Sequence, residues 1–522
     1  MADGKCDKCG ALTSNRGNMF QCGSGMVDYS SKGAKLVKTT TSILAVVSAL
    51  VISLTACGSS EVQDSAPQIN ETFSASATES SLSAAEPETA AAEAAAVSDA
   101  AEIPDVSSSE EASPEASAEA NESSDLEDPE VPEASLPEEN QVYDTSVQYT
   151  SQILSDGAEL IGGTYTAEGT DESVLEASGD VQATVTGAVL KEASGDASSA
   201  DDSSFRGVNA GVRVYGNAEV TLTDCQIEAD AENATGVFAY ENGVIHISDS
   251  VISVTGGGAG GVQVAGGGTL YGSNLTVTSA SKAAIRSDRG GGVLVIDGGS
   301  YTSTGSNGCP AIYSTADISV SNADCVSTNS RAVIIEGKNS VRLENCTLTG
   351  NDQSTKEGSV RANVLLYQSA SGDASEGTSV FTMKGGSMVS QSGAMFYCTN
   401  TASEINLTEA DLTLSEDNCL LIVSAGRWGK DGQNGGNCTL NASSQTLEGS
   451  ITVDAISTLA LNLTESVFTG TIQGEGTVDV TMDSGSEWTL TGDSEISSLQ
   501  GDLTGLNLNG YTLYVDGEAY TP

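Results

Sequence analysis

Six segments in the middle of the chain share one frame, and that frame limits the fold more than any other feature. They are "GVRVYGNAEVTLTDCQIEA" from Gly211, "GVFAYENGVIHISDSVISV" from Gly236 and "GVQVAGGGTLYGSNLTVTS" from Gly261, then "AIRSDRGGGVLVIDGGSYTS" from Ala284, "AIYSTADISVSNADCVSTN" from Ala311 and "AVIIEGKNSVRLENCTLTG" from Ala332. Looser versions begin near Val364, Met395, Leu420 and Ile451, and the spacing runs from about 21 to 32 residues. Each unit reads as a small residue, a short alternating strand, a turn, a second alternating strand, a polar-small pair and a third short strand. The pairs are Asp224-Cys225, Asp249-Ser250, Asn322-Ala323 and Asn345-Cys346, with Gly298-Gly299 and Gly385-Gly386 in the same slot.

Alternation of period two inside units of this length is the pattern of a β-solenoid. Each coil bonds to the next, so strands stack in parallel about 4.8 Å apart, and about ten coils make a rod of roughly 50 Å. Gly, Asn and Asp suit the turns because they tolerate positive φ. Aromatic residues are 4% of the chain and glycines number 58, which leaves little material for a large Leu/Phe core. In the same frame "IRSDRGGG" is one strand and turn of a coil. It lacks the G-x-x-x-x-G-K-[ST] pattern and the following helix that a phosphate loop requires. The expected fold is therefore all-β, a parallel β-helix of about ten coils over residues 142–470, with C-terminal coils and a cap over 471–522.

The remainder of the chain has another character. Acidic residues outnumber basic ones 72 to 20, giving a net charge of -52, and no Lys or Arg occurs between Lys38 and Lys191. A nucleic-acid partner needs a basic footprint and is not expected. Residues 57–141 are rich in Ala, Ser, Glu, Asp and Pro, and hold seven of the nine prolines. Such a segment buries too little apolar surface to offset its ordering entropy, so a disordered acidic spacer is expected. Residues 26–56 read as a secretory signal: Lys32, Lys35 and Lys38 precede an apolar run from Ile43 to Leu54, too short for a comfortable membrane span. Residues 1–25 form an extension ahead of Met26, the expected start. It contains Cys6, Cys9 and Cys22. The Cys6-x-x-Cys9 knuckle has half the spacing of a zinc ribbon, but position 25 is Gly where a second knuckle needs Cys, so these three are weak metal candidates.

Two resemblances extend this reading. Leu54-Thr55-Ala56-Cys57 resembles the bacterial lipobox, which implies cleavage before Cys57 and lipid on its thiol. The segments "AAIRSDRGGG", "PAIYSTADISVSNA" and "AVIIEGKNSVRLENC" resemble adhesin-like surface lipoproteins of Gram-positive bacteria, built on the right-handed parallel β-helix of the pectin-lyase-like superfamily. The resemblance implies a protein anchored by lipid to the outer face of the cell membrane, with the spacer carrying the folded head outward.

If Val212, Val237, Val262, Ile285, Ile312, Val333, Leu365, Phe396 and Leu421 face inward, their successors face out. That column reads Arg213, Phe238, Gln263, Arg286, Tyr313, Ile334, Leu366, Tyr397 and Ile422. A second column, two residues on, includes Tyr215, Tyr240, Asp288, Glu336 and Gln368. Flat aromatics beside hydrogen-bonding groups suit sugar rings, so Arg213, Tyr215, Phe238, Tyr240, Arg286, Tyr313 and Tyr397 form a candidate binding ladder, with Trp428 in the longest late insertion. The same columns would serve equally as cross-strand stacking or as the seat of a covering loop. The expected partner is an extracellular polysaccharide, a host or cell-surface glycan, or a surface protein, bound without catalysis. The alternatives are a polysaccharide lyase or glycoside hydrolase using Asp288, Glu336 and Arg286, and a purely structural surface protein. Asp288 and Glu336 would lie two coils apart, about 9–10 Å, near the spacing of inverting glycosidases. His246, in "VIHISD", reads as an outward, solvated strand residue. The later cysteines read as small buried hydrophobes. No cofactor is expected; calcium suits acidic turns, but no Gly-Gly-x-Gly-x-Asp array points to it.

Overall fold

The computed structural model describes residues 19–21, 26–28 and 142–522, apart from 193–194, 259, 307 and 357. Cys6, Cys9, Cys22, Cys57, most of the signal segment and the spacer lie outside the described residues. In the first unit, residues 1–54, strands Met19–Gln21 and Met26–Asp28 pair antiparallel, with Phe20 opposite Val27.

Within the second unit, residues 142–522 form a parallel β-helix. One side, here called the first face, is a sheet of 15 strands running from Gln152–Ile153 to Leu506–Asn507. The other two sides join into a sheet of 23 strands, because strands such as Gly268–Ser279 and Gly292–Ser306 run through the corner between them. The sequence frame, drawn from the regular middle, covers about ten of these rungs; shorter, less regular coils add the rest at both ends.

The register follows the frame. Val212 pairs with Val237, Val237 with Val262, Val262 with Ile285, Ile285 with Ile312 and Ile312 with Val333. Val220, Ile245, Leu270, Leu294 and Ile318 form the matching inward ladder of the second face. Ile227, Ile252, Val277, Tyr301 and Cys325 form that of the third. All of these are buried, and each large aliphatic among them contributes about 1.5–3 kcal/mol by leaving water. The turn between the second and third faces explains the polar-small pairs. Asp224, Asp249, Asn322 and Asn345 have φ between 51° and 54°, and Gly298 and Gly385 take 69° and 63° in the same slot. The small partner then turns inward.

One register expectation is corrected. Val364, and not Leu365, pairs with Val333 and Phe396. Leu365 therefore points out, Leu366 points in, and Tyr367 replaces Gln368 in the second outward column beside Glu336 and Thr399. The strand "ANVLLY" is apolar throughout, so its phase cannot be read from alternation.

The chain closes with Ser494–Ile496 parallel to Leu513–Val515, which pairs antiparallel with Glu518–Ala519. Among the described residues no helix is long and apolar enough to cross a membrane.

Candidate functional site

Four insertions leave the coils at turns flanking the first face, and they cover it. The first carries helix α1 (Ala200–Arg206), capped by Ser199, whose side chain accepts from the Asp202 amide, and ended by Gly207 at φ 69°. The others span residues 351–361, 368–377 and 424–436.

The candidate ladder lies beneath them. Phe238 is fully buried, packed with Ala210 and Ala265, and a Cβ on Gly207 would strike its ring. Arg213 is half-buried. Its guanidinium pairs with Glu176 at 3.2 Å, sits 4.3 Å over the Tyr215 ring and donates to the Arg206 carbonyl. Tyr215 donates to the same Glu176 at 3.0 Å, and Tyr240 packs at the edge of the Phe238 cluster. Arg286 donates to Asp288 Oδ2 through Nε at 3.1 Å and Nη2 at 2.6 Å, and lies 4.7 Å over the Tyr313 ring. Beside it, Lys282 donates to Ser204 of α1 at 2.5 Å; burial, then the Arg286 charge, push its amine down to about 7.

Glu336 is the centre of a second cluster. Tyr313 and Tyr367 donate to Oε2 at 2.6 and 2.7 Å, while Ser369 and Ser371 of the 368–377 insertion donate to Oε1. Burial first, then neighbouring charged or phenolic oxygens, hold both phenols well above their ordinary range, so they stay protonated as donors. Trp428 tilts against Tyr367 with ring centroids 4.6 Å apart, and the buried Tyr397 donates to the Ala425 carbonyl at 3.3 Å. The ladder is thus the inner side of a packed layer. Phe238, Arg286 and Tyr397 are not presented to solvent, and Asp288 and Glu336 are both buried, each engaged by side chains of the fold. Among the described residues no group of three or more His, Cys, Asp or Glu is placed to hold a metal ion.

Among the described residues nothing of this kind covers the second face. Its central outward column runs in register through Thr184, Thr221, His246, Tyr271, Val295, Ser319, Arg342, Thr382, Asn406, Asn441, Asn462 and Thr481. His246 and Tyr271 stack with centroids 5.0 Å apart and planes 11° from parallel. His246 Nε2 lies 3.1 Å from Glu219 Oε1. Tyr271 is 42% exposed, and Val293 and Val295 on the next coil are exposed beside it. Further along, Asn462 donates to Asn441 at 2.9 Å and Asn441 to Asn406 at 2.8 Å, an amide ladder along the axis. Between the His246–Tyr271 column and the short side chains of Ser248 and Ser273 runs a shallow trough floored by Leu222, Ile247 and Gly272 and ending at Asp297.

No family model, curated protein or solved structure matches the chain. The site therefore rests on its own geometry.

Sequence reasoning selected the first face because its strands are rich in aromatics. It passed over the second face, where His246 stood as an isolated solvated residue and Tyr271 was not singled out. A usable signal exists. "VFAY", "VIIE", "ANVLLY" and "AMFYC" are apolar on both phases, as strands covered on both sides must be. "EVTLT" and "DISVS" alternate strictly, as strands with one wet side do, although "VLVI" on the same face does not.

Proposed function

We propose that this is a lipid-anchored surface protein whose β-helix makes non-catalytic contact with an extended polysaccharide along the second face. The observation that carries the reading is that in-register face, uncovered among the described residues, which sets a partly exposed aromatic pair and an amide ladder along one line. A polymer of repeating rings needs repeating contacts, and parallel coils supply them about every 4.8 Å. Amide and hydroxyl groups supply the directional hydrogen bonds, and the exposed ring adds apolar contact. The lipobox-like Leu54–Cys57 and the acidic, proline-rich composition of residues 57–141 support an anchored head held off the membrane. The adhesin-like identity belongs to the same proposal.

The test is retention of the purified chain on a panel of immobilised neutral, acidic and amino polysaccharides, with released reducing or unsaturated ends recorded in the same wells. Retention without products, weakened by Tyr271→Ala and Asn441→Ala but not by the conservative Tyr215→Phe on the covered first face, is the expected result. Products abolished by Asp288→Asn or Glu336→Gln would replace this reading with an enzymatic one.

A further inference from the structure

Resting on that reading, we infer that the trough beside His246 and Tyr271 takes a saccharide strand bearing primary ammonium groups and turns away polyuronates. The apolar part of the site is the exposed Tyr271 ring, stacked on His246, with Val295 on the next coil. Charge decides which strand fits it. From Gln182–Thr186 to Asp317–Ser321, the outward positions of the second face carry no Lys or Arg. The nearest cation in the central column is Arg342, three coils beyond Tyr271 and so about 14 Å away.

The rim is acidic on both sides. Glu219 stands beside His246. Asp297 ends the trough, its Oδ1 accepting from Ser321 and Asn322 at 2.7 Å each; those two bonds, Ser321 first, hold the carboxyl below its ordinary range. Asp249 lies at the turn one coil earlier, its Oδ1 taken by Asn274 at 2.7 Å. Among the described residues the second oxygens of Asp297 and Asp249 accept no side-chain bond. An ammonium group on a ring seated against Tyr271 meets carboxylates at either end, which suits charge-assisted hydrogen bonds. A uronate strand meets like charge along the whole rim, and such juxtaposition is a strong ground for exclusion.

The experiment is calorimetric titration of the whole chain at about 0.15 M salt, where surface charges more than about 8 Å apart are largely screened. The ligands are a glucosamine hexamer, its fully N-acetylated counterpart, a uronate hexamer and hexalysine, the last a cation without sugar rings. Because the chain is strongly acidic, ring contact must be separated from bulk attraction, and Tyr271→Ala does so without altering charge. The glucosamine hexamer is expected to bind tightest, about tenfold weaker to Tyr271→Ala, unchanged with Tyr271→Phe and about fivefold weaker to Asp297→Asn. Equal binding of hexalysine, insensitive to Tyr271→Ala, would reduce the effect to bulk charge and overturn the inference. Preference for the acetylated or uronate hexamer, still lost in Tyr271→Ala, would overturn the ligand class while leaving the polysaccharide reading standing. Binding of no saccharide would remove both.

Discussion

Glu192 is buried and faces into the coil on the third face, between Ala167 and Ala229, and its carboxylate has no side-chain hydrogen-bond partner among the described residues, only the Gly195 backbone nearby. Burial, with Glu172 as the next contributor, pushes its carboxyl up to about 9. The folded chain therefore keeps the proton at neutral pH while the unfolded chain releases it near 4.5. The associated stability is full below pH 4.5 and is lost as pH rises toward 9. Glu192→Gln is expected to melt like the parent at pH 4 and to gain up to about 3 kcal/mol at pH 7, read from urea titrations at the two values. Lys282 acts with the opposite slope: its folded value near 7 lies below the ordinary 10.5, so its contribution grows as pH rises through that interval. Lys282→Met should flatten the rise between pH 7 and pH 10. At Glu336 four hydroxyls converge on one carboxylate. An amide in its place offers one acceptor and one donor, so Glu336→Gln should cost about 1–3 kcal/mol, measured by thermal denaturation.

At the scale of elements, the insertions over the first face behave as packing and not as loose loops. Arg331 pairs with Asp352 at 3.1 Å beneath the 351–361 segment and donates to the Val360 carbonyl. Arg289 reaches Asp373 of the next insertion at 2.5 Å. Trp428→Ala should cost about 1–3 kcal/mol and speed amide exchange along Ala362–Tyr367 and Ala394–Thr399, leaving Val244–Ser248 unchanged. How far this was legible in the sequence depended on what each strand faces. Where one side is wet, as in the strands holding Val220 and Ile245, alternation sets the phase; on the covered face the inward column from Val212 to Val333 followed from the repeat frame alone. Where both sides are dry, alternation disappears; that produced the slip at Val364 and hid Tyr367. The covering itself comes from contacts across long separations, such as Gln263 to the Ser204 carbonyl at 2.8 Å, which no local pattern reports. The face left open was visible only as the complement of the face that was covered.

Taken whole, and apart from the insertion contacts over the first face, the described rod is held together by neighbour-to-neighbour pairing, so the stability of its ladders is close to a sum of coils and interfaces. Deleting residues 237–261, one complete coil, joins Gly236 to Val262 in the frame already shared by adjacent rungs. That variant should fold and melt cooperatively. Inserting a single residue within Val244–Ser248 should not, since it turns the local inward ladder to the outside. Circular dichroism melts of the two variants check the pair. The unbroken register has a last consequence for a long ligand. Successive coils offer nearly the same backbone spacing, so a strand seated at one position can shift along by one coil and meet a similar, somewhat weaker set of contacts. Binding then becomes a family of overlapping poses instead of one. Grip should grow with ligand length through the number of such poses, and a bound strand should be free to creep along the rod without letting go.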